Sequence, residues 1–184
     1  MPSWPVASSV PYPADRPLRL LIRTDGAARG NPGPASCGAV LIDADGPTPE
    51  DPDAEPIAVV ARSLGVRTNN VAEYAGLVLA LCEARRLGAS AIDLRLDSKL
   101  IVEQLNGRWR VRDAKLQGLY GEARRHLAAI GPWSATHEPR ARNRAADALA
   151  NLALDDPDGA ARLVAEVARR NGREPTPPTA DPPP

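Results

Sequence analysis

The sequence predicts an α/β fold in which a mixed five-stranded sheet, an antiparallel meander joined by parallel strands, carries helices on both faces. Three observations support this prediction. Three strand-like apolar segments follow one another before the first helical pattern, and strand and helix patterns then alternate along the chain. The chain has 184 residues, of which 43% are hydrophobic, so it is long enough for one domain with a buried core.

The meander comes first. Its three strands are predicted at residues 18–24, 36–43 and 57–65. The first strand is expected to end at Asp25-Gly26, and the turn at residues 30–34 (GNPGP) contains only residue types that tight turns favour. The acidic, Pro-rich segment at residues 43–56 is predicted to form a protruding hairpin loop.

A helix is predicted next, at residues 70–87, and Gly88 is suited to end it. Its apolar residues recur at helical spacing on one face: Tyr74, Leu77, Val78, Leu81 and Ala84. The remaining elements are a strand at residues 91–97, helices at 98–106 and 115–130, a strand at 133–138, and helices at 144–154 and 159–170.

Composition predicts the limits of the domain, the positions of the cysteines and the cellular compartment. Residues 1–17 and 173–184 are Pro-rich and predicted to be disordered, residues 18–155 form the main domain, and residues 156–172 form a C-terminal helical extension. Cys37 and Cys82 have no metal-binding spacing and are expected in the core. No secretory signal and no apolar run of about 18 residues is visible, so we expect a cytoplasmic protein that does not enter a membrane.

The charge balance argues mildly against strong binding to nucleic acid, because 23 basic residues match 23 acidic ones. The charges are unevenly distributed, however. Residues 43–55 hold six acidic and no basic residues, whereas residues 99–144 hold ten basic and four acidic ones. A solvated helical face with salt bridges would also explain the basic region.

Four acidic residues decide the functional interpretation: Asp25, Glu73, Asp97 and Asp147. Each has an ordinary explanation when taken alone. Asp25 precedes a glycine as in a turn, and Glu73 follows Asn70 by three residues, as in a near capping box. Asp97 could cap a helix, and Asp147 could face solvent. Together, they lie where the alternating elements can bring them to one side of the sheet.

Four carboxylates at one point repel one another strongly unless cations neutralise them. Hard oxygen ligands in that number suit Mg²⁺ or Mn²⁺. Asp97 follows a strand, at the position where open α/β sheets bind ligands. Asn143 precedes Asp147 by four residues and therefore shares its helix face.

Four motifs in this order, TDGAARGNPGPASCGAVL, TNNVAEY, LDSKLIVEQLNG and RARNRAADALAN, resemble type 1 ribonuclease H across about residues 18–154. The resemblance implies a ribonuclease H fold that hydrolyses the RNA strand of RNA–DNA hybrids and leaves 5′-phosphate and 3′-hydroxyl ends. It implies that the four carboxylates hold two Mg²⁺ or Mn²⁺ ions. We expect a monomer.

By the same resemblance, a set of polar residues is expected at the hybrid: Asn31, Thr68, Asn69, Asn70, Ser98, Arg140 and Asn143. His137 lies ten residues before Asp147, which fits the spacing of a loop histidine that assists catalysis in many relatives. The pattern THEPRARN instead resembles short-loop relatives, in which this histidine could face away and Arg140 could assist.

One departure from the family is the basic connection 108–112 (RWRVR), which is too short for the Trp-containing protrusion that grips the hybrid in several members. We expect Trp109 to pack at the helix junction. An alternative function is therefore a hybrid-binding module with little catalysis. A 3′–5′ exonuclease of the same superfold would carry an acid pair two residues apart on the first strand, whereas Gly26 and Ala27 follow Asp25.

Overall fold

The computed structural model describes residues 16–174, and the predicted Pro-rich ends fall almost entirely outside this range. Its five strands are β1 (Leu18–Ala28), β2 (Gly33–Asp43), β3 (Ala58–Arg67), β4 (Ala89–Leu96) and β5 (Trp133–His137). They form a single sheet in the order β3-β2-β1-β4-β5. β1, β2 and β3 pair antiparallel, and β4 and β5 continue the sheet in parallel. The predicted mixed five-stranded sheet is confirmed.

The helices are α1 (Asn69–Arg86), α2 (Lys99–Leu105), α3 (Ala114–Ile130), α4 (Arg144–Asp155) and α5 (Pro157–Arg170), with a 3₁₀ turn at Arg140–Arg142. The larger core lies between one face of the sheet and α1, α2 and α3. A smaller core lies between the other face and α4 and α5, and includes Leu21, Val40, Leu149 and Val167. Helices therefore cover both faces, as predicted. Within residues 16–174, no helix combines the length and apolar character that crossing a membrane requires.

β1 is longer than predicted. It continues through Asp25 to Ala28, and Asp25 pairs with Gly38 of β2. The prediction that the strand ends at Asp25-Gly26 was wrong because pairing with a long β2 outweighs the local turn preference. The turn lies four residues later, where the amide of Arg29 donates to the carbonyl of Pro34 at 2.9 Å.

Two glycines let helices approach the sheet closely at this point. A Cβ on Gly26 would lie 2.3 Å from the backbone nitrogen of Glu73 in α1. A Cβ on Gly38 would lie 2.3 Å from the carbonyl oxygen of Ala146 in α4. Since real Cβ atoms do not tolerate such distances, both contacts require glycine. They bring one helix from each face of the sheet against the strand segment that carries Asp25.

The acidic segment 43–56 does not protrude as predicted. Its acidic side chains pair with arginines from distant elements: Asp53 with Arg144, Glu55 with Arg170, and Glu50 with Arg95. The segment therefore folds back against the side of the sheet that carries α4 and α5. The sequence could not reveal this, because the arginine partners lie 45 to 115 positions away.

The two cysteines differ in their surroundings. Cys37 is fully buried in β2, which confirms the expected core position. Cys82 is only partly buried, on the side of α1 that borders a groove between α1, α5 and the edge strand β3. A full core position for Cys82 was therefore a wrong prediction.

Candidate active site

Two of the four candidate carboxylates converge because of strand register. Ile22 of β1 lies beside Leu94 of the parallel strand β4. Asp25 and Asp97 each lie three residues further along their segments, so they reach the same end of adjacent strands. This end is where open α/β sheets bind ligands.

The other two carboxylates come from helices. Glu73 is the fifth residue of α1, beside Asp25 because of the close approach at Gly26, and Asp147 lies in the first turn of α4. The capping-box interpretation of Glu73 was wrong. Thr68 caps α1 and its hydroxyl oxygen accepts from the amide of Val71 at 3.4 Å, so Glu73 lies beyond the first turn and its carboxylate is available to the site.

Three of the carboxylates form a compact group. Asp25, Glu73 and Asp97 each place one oxygen so that all three oxygens lie within 4.8 Å of one another. Asp147 lies at the margin of this group, where its Oδ1 accepts a hydrogen bond from Nη2 of Arg140 at 2.7 Å. The amide of Asn151 donates to its other oxygen at 3.1 Å.

Crowding and burial raise two pKa values in the group. Burial, followed by the charges of Asp97 and Asp147, raises the pKa of Asp25 to about 7. Burial, followed by the charges of Asp25 and Asp97, raises the pKa of Glu73 to about 8. The guanidinium of Arg140 opposes both shifts. Ionisation of Asp25 and Glu73 is therefore unfavourable in the protein alone. A bound divalent cation would stabilise the ionised carboxylates.

Two buried oxygen atoms at the site have no hydrogen-bond partner among the described residues: Oε2 of Glu73 and Oδ1 of Asn143. The amide nitrogen of Asn143 donates to the carbonyl of Thr24 at 2.8 Å and to Oδ1 of Asp97 at 2.9 Å. Buried polar atoms without partners are unfavourable. A buried Glu73 oxygen without a donor, beside the carboxylates of Asp25 and Asp97, fits a hard cation such as Mg²⁺ or Mn²⁺.

His137 and Arg140 border the site from the segment after β5. His137 is exposed, and its Nε2 lies 3.1 Å from the backbone oxygen of Asp97, so this ring nitrogen contacts the backbone. Arg140 has a side chain that is 77% exposed and yet pairs with Asp147. Asn143, which was expected at the hybrid, is only 1% exposed and orients Asp97 instead.

The remaining residues expected at the hybrid lie at the start of two helices. Asn31 is exposed, and its Oδ1 accepts from the amide of Asn69 at 3.1 Å, which fixes the turn after β1 against the start of α1. Asn69 and Asn70 are exposed there, beside the cap residue Thr68. Ser98 directly precedes α2, and its hydroxyl makes no capping hydrogen bond. These polar groups therefore lie on the surface close to the carboxylates.

Trp109 does not pack at the helix junction as expected. It is 46% exposed and lines a surface recess with Arg110, Arg112 and Tyr120. Val111, from the same connection, packs partly against the main core in its place. The connection thus places an aromatic side chain and two arginines at the same surface recess.

Sequence reasoning missed a charged cluster next to the site. Arg23 and Glu138 form a buried ion pair, and Arg95 contacts the same carboxylate. One signal was available: Arg23 sits within the apolar strand segment LRLLIRT, at a position that shares its face with Leu21. Its partner, which is 115 residues away, was not visible from sequence.

Comparisons with known proteins identify relatives of the chain. Residues 23–153 match the family model described as reverse transcriptase-like. The ribonuclease HI of Halobacterium salinarum is 45% identical over 142 residues, which are 77% of this chain and 67% of that protein. The bifunctional protein Rv2228c of Mycobacterium tuberculosis is 41% identical over 152 residues, which are 83% of this chain. The chain spans only 40% of the length of that relative.

Solved structures share the fold. The crystal structure of RNase H1 from Halobacterium salinarum has a TM-score of 0.68 at 45% identity and covers 75% of this chain and 98% of that one. The structure of LC11-RNase H1 in complex with an RNA/DNA hybrid has a TM-score of 0.67 at 33% identity, with 75% and 98% coverage.

Proposed function

Because the chain belongs to the ribonuclease HI family, we propose that it hydrolyses the RNA strand of RNA–DNA hybrids with divalent metal ions held by Asp25, Glu73, Asp97 and Asp147. The observation that carries the proposal is the group of three carboxylates within 4.8 Å, with a buried oxygen of Glu73 that has no hydrogen-bond partner within residues 16–174. Such a group is an unfavourable arrangement for structure alone.

We propose that the metal ions are two Mg²⁺ or Mn²⁺ ions. When bound, they supply positive charge that favours loss of a proton from the attacking water and stabilises negative charge on the leaving oxygen. The expected products are 5′-phosphate and 3′-hydroxyl ends. Asp25, Glu73 and Asp97 would hold the ions, and Asp147, which pairs with Arg140, would complete the ligand set.

The chain's own residues orient these ligands. Asn143 links the carbonyl of Thr24, next to Asp25, with the carboxylate of Asp97, and so fixes the two strand ends relative to each other. Arg140 holds Asp147 and adds positive charge at the mouth of the site. We assign no proton transfer to His137, because its ring contacts a backbone oxygen.

The hybrid would lie across the exposed polar groups around the carboxylates. Asn31, Asn69 and Asn70 form one polar edge of the site and can contact sugars and base edges. The basic connection with Trp109 forms a second contact region on the surface. Recognition of this kind depends on the shape of the duplex and on 2′-hydroxyl groups, so it does not require a sequence preference. Since all four carboxylates come from one chain, we expect a monomer to be active.

The proposal is tested by cleavage of an end-labelled RNA–DNA hybrid with Mg²⁺ or Mn²⁺, with single-stranded RNA and double-stranded RNA as comparison substrates. We expect hybrid-selective cleavage that Asp97→Asn abolishes, because the substitution removes the charge of a metal ligand. Asp158→Asn, at an exposed position in the first turn of α5, is the matched control and should behave as wild type.

Two results would contradict the proposal. Activity of Asp97→Asn within about tenfold of wild type would exclude the metal site as described. Hybrid binding by the wild type without cleavage would instead favour a binding module with little catalysis.

A further inference from the structure

A buried ion pair lies two residues from the proposed metal site. Nε of Arg23 donates to Oε2 of Glu138 at 3.1 Å, and the two residues are 1% and 6% exposed. Arg23 precedes Asp25 by two residues on β1 and shares its face of the sheet. Glu138 directly follows β5, and its amide donates to the carbonyl of Leu96, the last residue of β4.

The second oxygen of Glu138 contacts two further arginines. Oε1 lies 3.4 Å from Nη1 of Arg95 and 3.7 Å from Nε of Arg142. Arg95 precedes Asp97 by two residues on β4, and Arg142 precedes Asn143, whose amide holds Asp97. One carboxylate is therefore shared by arginines from three segments, and each segment leads directly into the proposed site.

The folded-back acidic segment completes this charged cluster from outside. The backbone oxygen of Glu50 accepts from Arg142 at 2.6 Å and from Arg23 at 3.5 Å. Its carboxylate pairs with Arg95 at 3.2 Å. Glu50 is exposed, with 56% of its side chain accessible, whereas Glu138 is not, so the inner carboxylate has the stronger interactions.

Stability alone does not explain this arrangement. Buried ion pairs can often be replaced by apolar residues of similar size without loss of stability, since desolvation offsets much of the attraction. Here the pair also leaves Nη1 of Arg23 buried without a hydrogen-bond partner among the described residues. An unpaired buried donor is unfavourable, so apolar residues would fill the space beside β1 with less loss of stability than this cluster does.

We propose that Glu138 is a positioning residue that fixes the ends of β1 and β4 and the Arg140–Arg142 turn relative to one another, so that Asp25 and Asp97 stay close enough to share metal ions. This inference rests on the proposed function of the site. Repulsion between the carboxylates pushes the two strand ends apart in the absence of metal. The cluster opposes this repulsion by joining Arg23 and Arg95 through one buried carboxylate.

The test compares wild type with Glu138→Gln, which keeps the size of the side chain and removes its charge. Mn²⁺ binding to the protein without hybrid is measured by isothermal titration calorimetry, and kcat and KM are measured on the hybrid. We expect Mn²⁺ affinity and kcat to fall about tenfold, as is typical when groups that orient metal ligands are altered. KM should change less, because the hybrid contacts remain.

Glu83→Gln is the matched control. Glu83 is also a largely buried glutamate with two hydrogen bonds to an arginine, Arg86, but it lies near the end of α1 that is remote from the site. It should leave Mn²⁺ affinity and kcat unchanged even if it lowers the melting temperature. An equal loss of metal affinity in both variants would overturn the proposal.

A second variant keeps the test decisive if Glu138→Gln folds poorly. Arg23→Met combined with Glu138→Gln removes the unpaired buried charge as well, so the melting temperature should recover towards wild type. Positioning by Glu138 requires that the weakened Mn²⁺ binding persists in this double variant. Recovery of Mn²⁺ affinity together with stability would overturn the inference. If wild type binds no Mn²⁺, both the proposed function and this inference are overturned. If wild type and Glu138→Gln bind Mn²⁺ equally well, only this inference is overturned.

Discussion

The replacement of Glu73 by glutamine should stabilise the metal-free protein at alkaline pH but not at acidic pH. The pKa of Glu73 rises from 4.5 to about 8 in the folded protein, first through burial and then through the charges of Asp25 and Asp97. Between these two values, the folded state binds more protons at this group than the unfolded state does. The free energy of unfolding therefore falls as pH rises from about 4.5 to about 8, and is constant above that range.

The size of the effect follows from the pKa values. One pKa unit corresponds to about 1.4 kcal/mol, so the rise from 4.5 to about 8 sets an upper limit of about 5 kcal/mol. Small movements and water entry would relieve part of this, and we expect about 2 kcal/mol. For a domain of this size, that corresponds to a difference in melting temperature of about 4–8 °C between Glu73→Gln and wild type above pH 8.

The assay is thermal unfolding of both proteins at pH 5.5 and pH 9, each with a chelator and with millimolar Mg²⁺. In chelator, the variant should melt higher than wild type at pH 9 only. Added Mg²⁺ should stabilise wild type more than the variant, because it relieves a carboxylate repulsion that the variant has lost in part. A difference between the proteins that is the same at both pH values in chelator would refute the reasoning, since a group that stays ionised throughout gives no pH dependence.

Two further substitutions test the packing and the surface around the site. Gly38→Ala places a Cβ 2.3 Å from the carbonyl oxygen of Ala146, so α4 must move by about 1 Å to reach ordinary contact. We expect the free energy of unfolding in urea to fall by about 1–3 kcal/mol. Cleavage should also be reduced, because Asp147 moves with the helix. Trp109→Ala should raise KM for the hybrid severalfold, because a base can stack on the exposed part of the ring. It should also lower the melting temperature by a few degrees, because a ring that is 46% exposed still buries about half of its surface. An unchanged KM would exclude contact with the hybrid.

The order of strands and helices could be predicted from sequence because it depends on local periodicity. The apolar face of α1 and the alternation in β4 are visible within windows of a few residues. The end of β1 could not be predicted in this way. Asp25-Gly26 is a turn signal locally, but Gly26 is needed for the close approach of α1, and Gly38 for that of α4.

The site could be predicted only as a set of residue types. The motifs that carry Asp25, Glu73 and Asp97 identified three residues that the fold brings within 4.8 Å. Glu138 was not identified, and Asn143 was assigned to the hybrid and not to Asp97, because their interactions join distant parts of the chain. Glu138 reaches Arg23 across 115 positions, and Asn143 reaches Thr24 across 119. Such pairings have no local pattern, so only the three-dimensional structure reveals them.

The net charge of zero combines two regions of the structure: an acidic segment that is paired with arginines, and a basic region around Trp109 that has fewer ion pairs. The acidic segment after β2 is neutralised by arginines that hold it to the fold, such as Arg144 with Asp53 and Arg170 with Glu55. The positive charge of those arginines is therefore compensated by nearby carboxylates of the same chain. The exposed basic residues around Trp109 are less compensated, since the ion pairs among residues 16–174 include Arg108 with Glu103 but none of Arg110 or Arg112. Net neutrality thus gives no argument against nucleic-acid binding, because attraction to phosphate depends on the charge that remains free beside the site.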